Sequence, residues 1–197
     1  MNLLEAALRR IASDLGRHGC RWSLVGGFAV SARAEPRFTR DVDVAVTVAG
    51  DPEAEALARS LLADGYRLLA SIEHDEAGRL ATVRLGCPVG AGDDVIVDLL
   101  FASSGIEPEV VQASENVEIV AGLTLPIAAA GHLIALKLLA RDDDTRPQDL
   151  SDLRALRAVA TPADLAAARE AVRLITERGF GRGRDLVAAL DTLERQA

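Results

Sequence analysis

The chain is poor in the residues that usually announce a cofactor or a compartment. It holds two cysteines, Cys20 and Cys87, and three histidines, His18, His74 and His132. The cysteines are isolated, with no metal-type spacing, and the histidines are scattered. A zinc site is therefore not expected, and the thiols read as the reduced groups of a cytoplasmic protein. No apolar run reaches the roughly 18 residues that a membrane span requires. Glu5 interrupts the apolar start of the chain, which reads as an amphipathic helix rather than a signal peptide. Repeats and low-complexity tracts are missing. Lysine is almost missing as well: Lys137 stands alone beside 21 arginines. Arginine richness of this kind can reflect the base composition of a genome. A lysine that survives it hints at a position suited to a compact ammonium rather than a planar guanidinium.

What remains is the composition of an ordinary globular protein, 49% hydrophobic and 26% charged over 197 residues. That length allows one large domain or two small ones. The formal net charge of −8 argues against broad, non-specific binding of nucleic acid but leaves room for a local basic cleft.

The stretch from Leu24 to Val46 organises the rest. A short apolar run, Trp22 to Val25, ends in Gly26-Gly27, and a short helix follows to Ala34, closed by Pro36. A glycine pair where a strand meets a helix lets the backbone approach a phosphate, and the helix N-terminus offers unpaired N–H groups. The next strand, Arg40 to Val48, alternates acid and valine. Asp41 and Asp43 share one face of it, with Cα atoms about 6–7 Å apart, close enough for both carboxylates to hold one Mg²⁺ or bracket two. A phosphate cradle beside a cation site makes up the two halves of a nucleotide site.

Along the chain, Leu3, Leu4, Ala7, Leu8, Ile11 and Leu15 recur at helical spacing. A helix from Pro52 to Ala63 starts on a proline and ends at Asp64-Gly65. Strands are expected at Tyr66–Ser71, at Leu80–Leu85 and at Val95–Phe101, with turn-like residues 72–79 and a glycine-rich loop over residues 86–94, where Asp93 and Asp94 read as solvated. Asp98 is an acid inside an apolar strand, and an unpartnered buried charge is costly. It is expected to face the Asp41/Asp43 pair as a third carboxylate; the competing expectation is an ion pair with an arginine at the strand end. A short helix at Glu107–Ala113 and a small hairpin at Val117–Leu125 follow. Pro126 is expected to open a helical region holding helices at His132–Ala140, Leu150–Val159, Pro162–Thr176 and Arg184–Arg195. The class is therefore α+β: a mixed-sheet module, residues 1–125, then a helical lobe, residues 126–197, the two meeting at a cleft.

Lys137 and Arg141 lie one helical turn apart, and Asp149 and Asp152 share a face of the next helix. A salt-bridged helix pair would explain them. Opposite a carboxylate–metal cluster, however, Lys137 and Arg141 suit the β- and γ-phosphates of a nucleotide, and Asp152 is placed to hold Lys137 or carry a proton. Arg40, beside Asp41, is a further phosphate contact.

Together, Gly26-Gly27, Arg37-x-Thr39-x-Asp41-x-Asp43, Asp98, Lys137-x-x-x-Arg141 and Asp149-x-x-Asp152 resemble the DNA polymerase β-like nucleotidyltransferase superfamily, and within it the AbiEii/MenT toxins of toxin–antitoxin systems. The resemblance covers most of residues 22–157. It departs from the broad pattern at Gly27, where serine is usual, so backbone N–H groups must replace a hydroxyl. The resemblance implies a nucleotidyltransferase-fold mixed sheet and Mg²⁺-dependent transfer of NMP from an NTP, CTP or UTP favoured, to the 3′ end of tRNA, blocking aminoacylation. It implies metal binding by Asp41 and Asp43, with Asp98 as third carboxylate and helper of the attacking hydroxyl. It further implies triphosphate binding by Lys137 with Asp152 as partner, and neutralisation by a cognate antitoxin that can phosphorylate Thr39. Arg33, Arg37, Arg79 and Arg84 would meet the tRNA if folding gathers them at one rim. Transfer to a protein or antibiotic hydroxyl, and nucleotide binding without catalysis, are the alternatives.

Overall fold

The strand that carries the two acids lies in the middle of the sheet. In the computed structural model, which describes residues 3–74, 78–90, 94–142 and 147–195, this strand (β2, Asp41–Thr47) turns Val42, Val44 and Val46 into the core and keeps Asp41 and Asp43 half-buried on the opposite face. The period of two along a strand makes that division automatic. The strand β1 (Arg21–Val25) pairs with it antiparallel, and β5 (Val95–Leu100) pairs with it parallel. Outside β5 come β4 (Arg79–Cys87) and β3 (Arg67–His74); outside β1 come β7 (Leu123–Ile127) and β6 (Glu115–Val120). The seven-stranded order is β3-β4-β5-β2-β1-β7-β6.

The amphipathic helix α1 (Leu3–Arg17) lays Ala7, Leu8, Ile11 and Leu15 against β1, β2 and β5. The helix α2 (Gly26–Arg33) leaves β1 directly, and α3 (Asp51–Ala63) starts with a proline in its first turn, where the missing N–H is no loss. After the short α4 (Glu107–Gln112) and the β6–β7 hairpin, the chain is helical: α5 (Ala130–Ala140), α6 (Pro147–Val159), α7 (Pro162–Glu177) and α8 (Leu186–Arg195). α5 is the centre of this group and packs on α6, α7, α8 and α2. A capping box between Thr161 and Asp164 fixes the start of α7, satisfying two otherwise orphaned donors. Among the described residues no helix is long and apolar enough to cross a membrane.

The α+β expectation holds, with local corrections. Pro126 does not open the helical region. Leu123, Leu125 and Ile127 continue the inward alternation through it, so burial carries the strand past the proline. β3 reaches His74 and not Ser71. Its side chains are mostly exposed, so the polar composition that reads as a turn is that of a solvated edge strand. The expected turn at residues 75–77 and the expected solvated loop position Asp93 lie outside the described residues.

The N-terminal turn of α5 touches α7 without room for a side chain. A Cβ on Gly131 would stand 2.3 Å from the Asp164 carbonyl oxygen and 2.9 Å from Ala167 Cβ. Both neighbours belong to helix backbone or to its root, and neither can swing aside. Gly131→Ala is therefore expected to destabilise the protein by about 1–3 kcal/mol, the usual cost of overpacking, measured as a lower urea midpoint at unchanged slope.

Candidate active site

The three acids singled out in the sequence arrive on one face. Asp43 stands directly opposite Asp98 across β2 and β5, and Asp41 lies two residues earlier on the same side. The order strand-Asp-x-Asp, later strand-Asp thus becomes a single acidic row, because parallel pairing puts partnered side chains on the same side of a sheet. All three line one cleft of about 1120 Å³, together with Gly26, Gly27, Arg37, Thr39, Arg40, Lys137 and Asp149.

The glycine pair is set by proximity to this row. Gly26 has φ +62°, and a Cβ there would lie 1.9 Å from Asp43 Oδ2. At Gly27 a Cβ would lie 2.7 Å from Arg37 Nη2 and 2.9 Å from Thr39 Oγ1. The first glycine thus leaves space for a carboxylate, and the second for the segment that carries Arg37 and Thr39. The Thr39 hydroxyl is half-buried at the cleft edge, 3.4 Å from the Asp41 carbonyl oxygen.

Asp98 is not bare. Arg84, its antiparallel partner on β4, forks onto it, with Nε donating to Oδ1 at 2.8 Å and Nη2 to Oδ2 at 2.7 Å. Both expectations for Asp98 are therefore met at once: it faces the other two acids, and it is paired with an arginine. The hydrogen bond to Asp98 raises the pKa of Arg84 against the opposing pull of burial, and the charges of Asp98, Asp41 and Asp43 add to the rise.

Lys137 sits between Asp149 Oδ1 at 2.7 Å and Asp152 Oδ2 at 2.8 Å. The other side of Asp152 is taken by Arg37, whose Nε and Nη2 donate at 2.6 and 2.8 Å. Asp152 is only 2% exposed. Burial alone would push its carboxyl up, but the hydrogen bonds and charges of Arg37 and Lys137 outweigh that and hold it below the ordinary value. Among the described residues Asp149 Oδ2 is buried without a hydrogen-bond partner, a position that a water or a ligand hydroxyl would satisfy.

Other expected contacts lie elsewhere. α5 ends at Ala140, and Arg141 leaves helical geometry, so it does not share the cleft face with Lys137; it lines a separate depression with Arg184 and Leu186. Arg40 lies on the cleft rim, its guanidinium 5.6 Å from the Phe38 ring. The four arginines expected to greet a tRNA are all engaged: Arg33 with Glu115, Arg37 with Asp152, Arg79 with Asp51 and Arg84 with Asp98. Only Arg37 and Arg84 of these line the cleft.

Pattern reading did not find the far end of the cleft. Glu107, 2% exposed, accepts hydrogen bonds on Oε1 from the backbone N–H and hydroxyl of both Ser103 and Ser104. Arg182 donates to the Ser103 carbonyl at 2.8 Å from a left-handed backbone, φ +52°. That conformation is uncommon for a residue other than glycine. The serine pair three and four residues before Glu107 was a visible signal, whereas nothing near Arg182 in sequence pointed to the cleft.

The donor set suits a hard divalent cation. Asp41 and Asp43 offer carboxylate oxygens from adjacent same-face positions, the ligand type that such ions prefer. Asp98 stands beside them with an Arg84 nitrogen on each oxygen. Among the described residues no group of three His, Cys, Asp or Glu stands ready-made around a metal position. The cleft's carboxylates at least match its arginines and lysine, so a triphosphate needs added positive charge to enter.

A family described as nucleotidyl transferase AbiEii toxin, type IV TA system, matches residues 7–195. No curated protein matches the sequence. Among solved structures, an antigenic nucleotidyltransferase-like protein from Paracoccidioides brasiliensis is 17% identical with a TM-score of 0.57, over 96% of this chain and 92% of its own. The lincosamide antibiotic adenylyltransferase LnuA is 13% identical with a TM-score of 0.51, over 81% of this chain and 100% of its own. The antibiotic-resistance factor ANT(2'')-Ia is 18% identical with a TM-score of 0.50, over 100% and 92%. At these identities the likeness is one of fold, and the fold is that of nucleotidyltransferases.

The lowered pKa of Asp152 has a stability consequence with a definite sign. Its contribution is complete above the unfolded carboxyl value, about 3.9, and disappears as pH falls through the lower folded value. Asp152→Asn is expected to cost about 1–3 kcal/mol at pH 7. The gap to wild type should narrow below about pH 4, as read from urea unfolding at both pH values.

Proposed function

Since the chain belongs to the family of AbiEii nucleotidyl transferase toxins of type IV toxin–antitoxin systems, we propose that its cleft moves NMP from an NTP, CTP or UTP favoured, onto the 3′ end of tRNA and so blocks aminoacylation. The observation that carries this reading is the acidic row: Asp43 opposite Asp98, with Asp41 beside them, lining the same cleft as Lys137.

The chemistry is in-line displacement. The acceptor hydroxyl oxygen attacks the α-phosphorus, the bond to pyrophosphate breaks, and the hydroxyl proton passes to a carboxylate, for which Asp98 is the candidate. A Mg²⁺ held by Asp41 and Asp43, with Asp98 as third carboxylate, would supply Lewis-acid stabilisation of the leaving pyrophosphate and lower the pKa of the acceptor hydroxyl. The chain's own residues do the positioning. Gly26 and Gly27 bring backbone close to the phosphates, and the start of α2 supplies N–H donors. Lys137 spends two of an ammonium's three donors on Asp149 and Asp152, which leaves one for a phosphate oxygen. Asp152 does not touch the nucleotide in this reading; it holds Lys137 and Arg37. Arg40 reaches the triphosphate from the rim, and Arg141 has no part.

Residues 1–125 then form the catalytic module, and residues 126–197 the lobe that closes the cleft and brings Lys137. The protein acts in the cytoplasm, and its cognate antitoxin has Thr39 as a target. A phosphate on that hydroxyl adds nearly two negative charges beside the acidic row, and NTP would be repelled. The engaged state of Arg33, Arg37, Arg79 and Arg84 favours a narrow contact with the acceptor end. The same observation supports a second reading, transfer to a protein or small-molecule hydroxyl.

The test is incubation with Mg²⁺, each labelled NTP, and in turn total tRNA, a partner protein and an aminoglycoside. Label is expected on tRNA from a pyrimidine nucleotide; label only on another acceptor rejects the tRNA assignment. Asp41→Ala is expected to abolish transfer. Lys137→Ala is expected to raise the KM for NTP about tenfold to a hundredfold, the scale of a lost hydrogen bond to a charged group. Near-normal turnover in Asp41→Ala would remove the mechanism.

A further inference from the structure

Across the sheet face, Arg84, Asp98 and Asp43 form one continuous row. Arg84 partners Asp98 on one side, and Asp98 partners Asp43 on the other. Neighbouring strands are about 4.8 Å apart, so the guanidinium and the Asp43 carboxylate flank Asp98 from opposite directions. The Asp98 carboxylate is almost wholly buried, with a side chain 9% exposed, whereas the Arg84 side chain is 39% exposed and lines the cleft. A buried carboxylate is costly to leave without a cation. The half-exposed guanidinium already reaches solvent, so an incoming cation can displace it from Asp98, whose two oxygens are now held by its fork.

We propose that Arg84 is a resident cation that competes with a divalent metal for Asp98, so that the third carboxylate of the cluster becomes available only when Arg84 swings out of the row. This rests on the reading of Asp41, Asp43 and Asp98 as a metal-binding cluster and adds a control to it. While Arg84 is engaged, an incoming ion meets two carboxylates. When the ion arrives and the guanidinium leaves, the ion meets three, and it takes over from Arg84 as the counter-charge of Asp98. The net charge of the region is thereby kept moderate before the metal arrives, and the three acids can sit side by side in the folded apo protein.

A competitor that holds one ligand most of the time weakens apparent metal affinity by the fraction of molecules in which the ligand is open. If the pair is closed in nine molecules of ten, the penalty is about tenfold. The test is direct binding of Mn²⁺ to the purified full chain, followed by electron paramagnetic resonance, with no substrate present. Arg84→Gln is expected to bind Mn²⁺ about tenfold more tightly than wild type or better. Arg84→Lys, which keeps the charge but loses the fork, should fall between them, and it carries the test if the glutamine variant does not fold by circular dichroism. Adding Asp98→Asn to either variant should cancel the gain. Two failures are distinguishable. If wild type binds Mn²⁺ and loses it in Asp41→Asn, yet both Arg84 variants bind as wild type does, Arg84 is a permanent brace and this proposal falls alone. If no variant and no wild type binds Mn²⁺, the metal reading of the acids falls and this proposal with it.

Discussion

A single carboxylate, Asp152, joins the parts of the cleft. It comes from α6, holds Lys137 of α5 on one oxygen, and takes the fork of Arg37 from the segment just before β2 on both. The loop that leads into the acidic strand is thereby tied to two helices from the other end of the chain. Arg37 in turn lies against Gly27, where any side chain would push it away. The glycine pair, the Thr39 segment, the ammonium and the acidic row thus share one set of constraints. Buried ion pairs of this kind add little net stability compared with an apolar core, but breaking one partner is costly, and that asymmetry is what gives the cleft a defined shape.

Electrostatics explains the second level of organisation. The cleft has no excess of positive charge, in line with a chain whose net charge is −8. Three of its cations are placed on particular carboxylates: Arg84 on Asp98, Lys137 on Asp149 and Asp152, Arg37 on Asp152. In the proposed reading a nucleotide is therefore received by a few directed contacts, not by a diffuse basic field. Affinity built in that way depends on geometry, and it falls less with salt than the broad phosphate contacts of typical nucleic-acid binders. The proposed transfer is compatible with this design, because its acceptor would need to present only one hydroxyl.

Much of this was legible in the residues. The alternation of Asp41-Val42-Asp43-Val44 specifies a half-buried strand with both acids on one side, and the glycine pair marks the junction of β1 and α2. An acid within Val95–Leu100 must find a cation or a metal, and it finds the first. The lone lysine is the ammonium between two aspartates. The less legible features depend on pairing over long distances. Nothing near Arg37 names Asp152, 115 residues away, and nothing near Arg182 names Ser103. Arg141 was misread for a local reason: helical spacing from Lys137 holds only while the helix continues, and α5 ends one residue before Arg141. Pro126 was misread because a proline that may start a helix may also sit in a strand whose neighbours keep an inward alternation.

Local sequence determined which side chains share a face, where turns fall and which residues carry the chemistry, since these follow from backbone sterics and from periods of two and 3.6. Tertiary structure decided which strand lies beside which, and hence that Asp98 stands between Asp43 and Arg84 and that Asp152 is shared by Lys137 and Arg37. The physical reason is that register and helix packing are settled by burying the whole core at once, and a charged side chain takes whichever opposite charge that burial brings within reach.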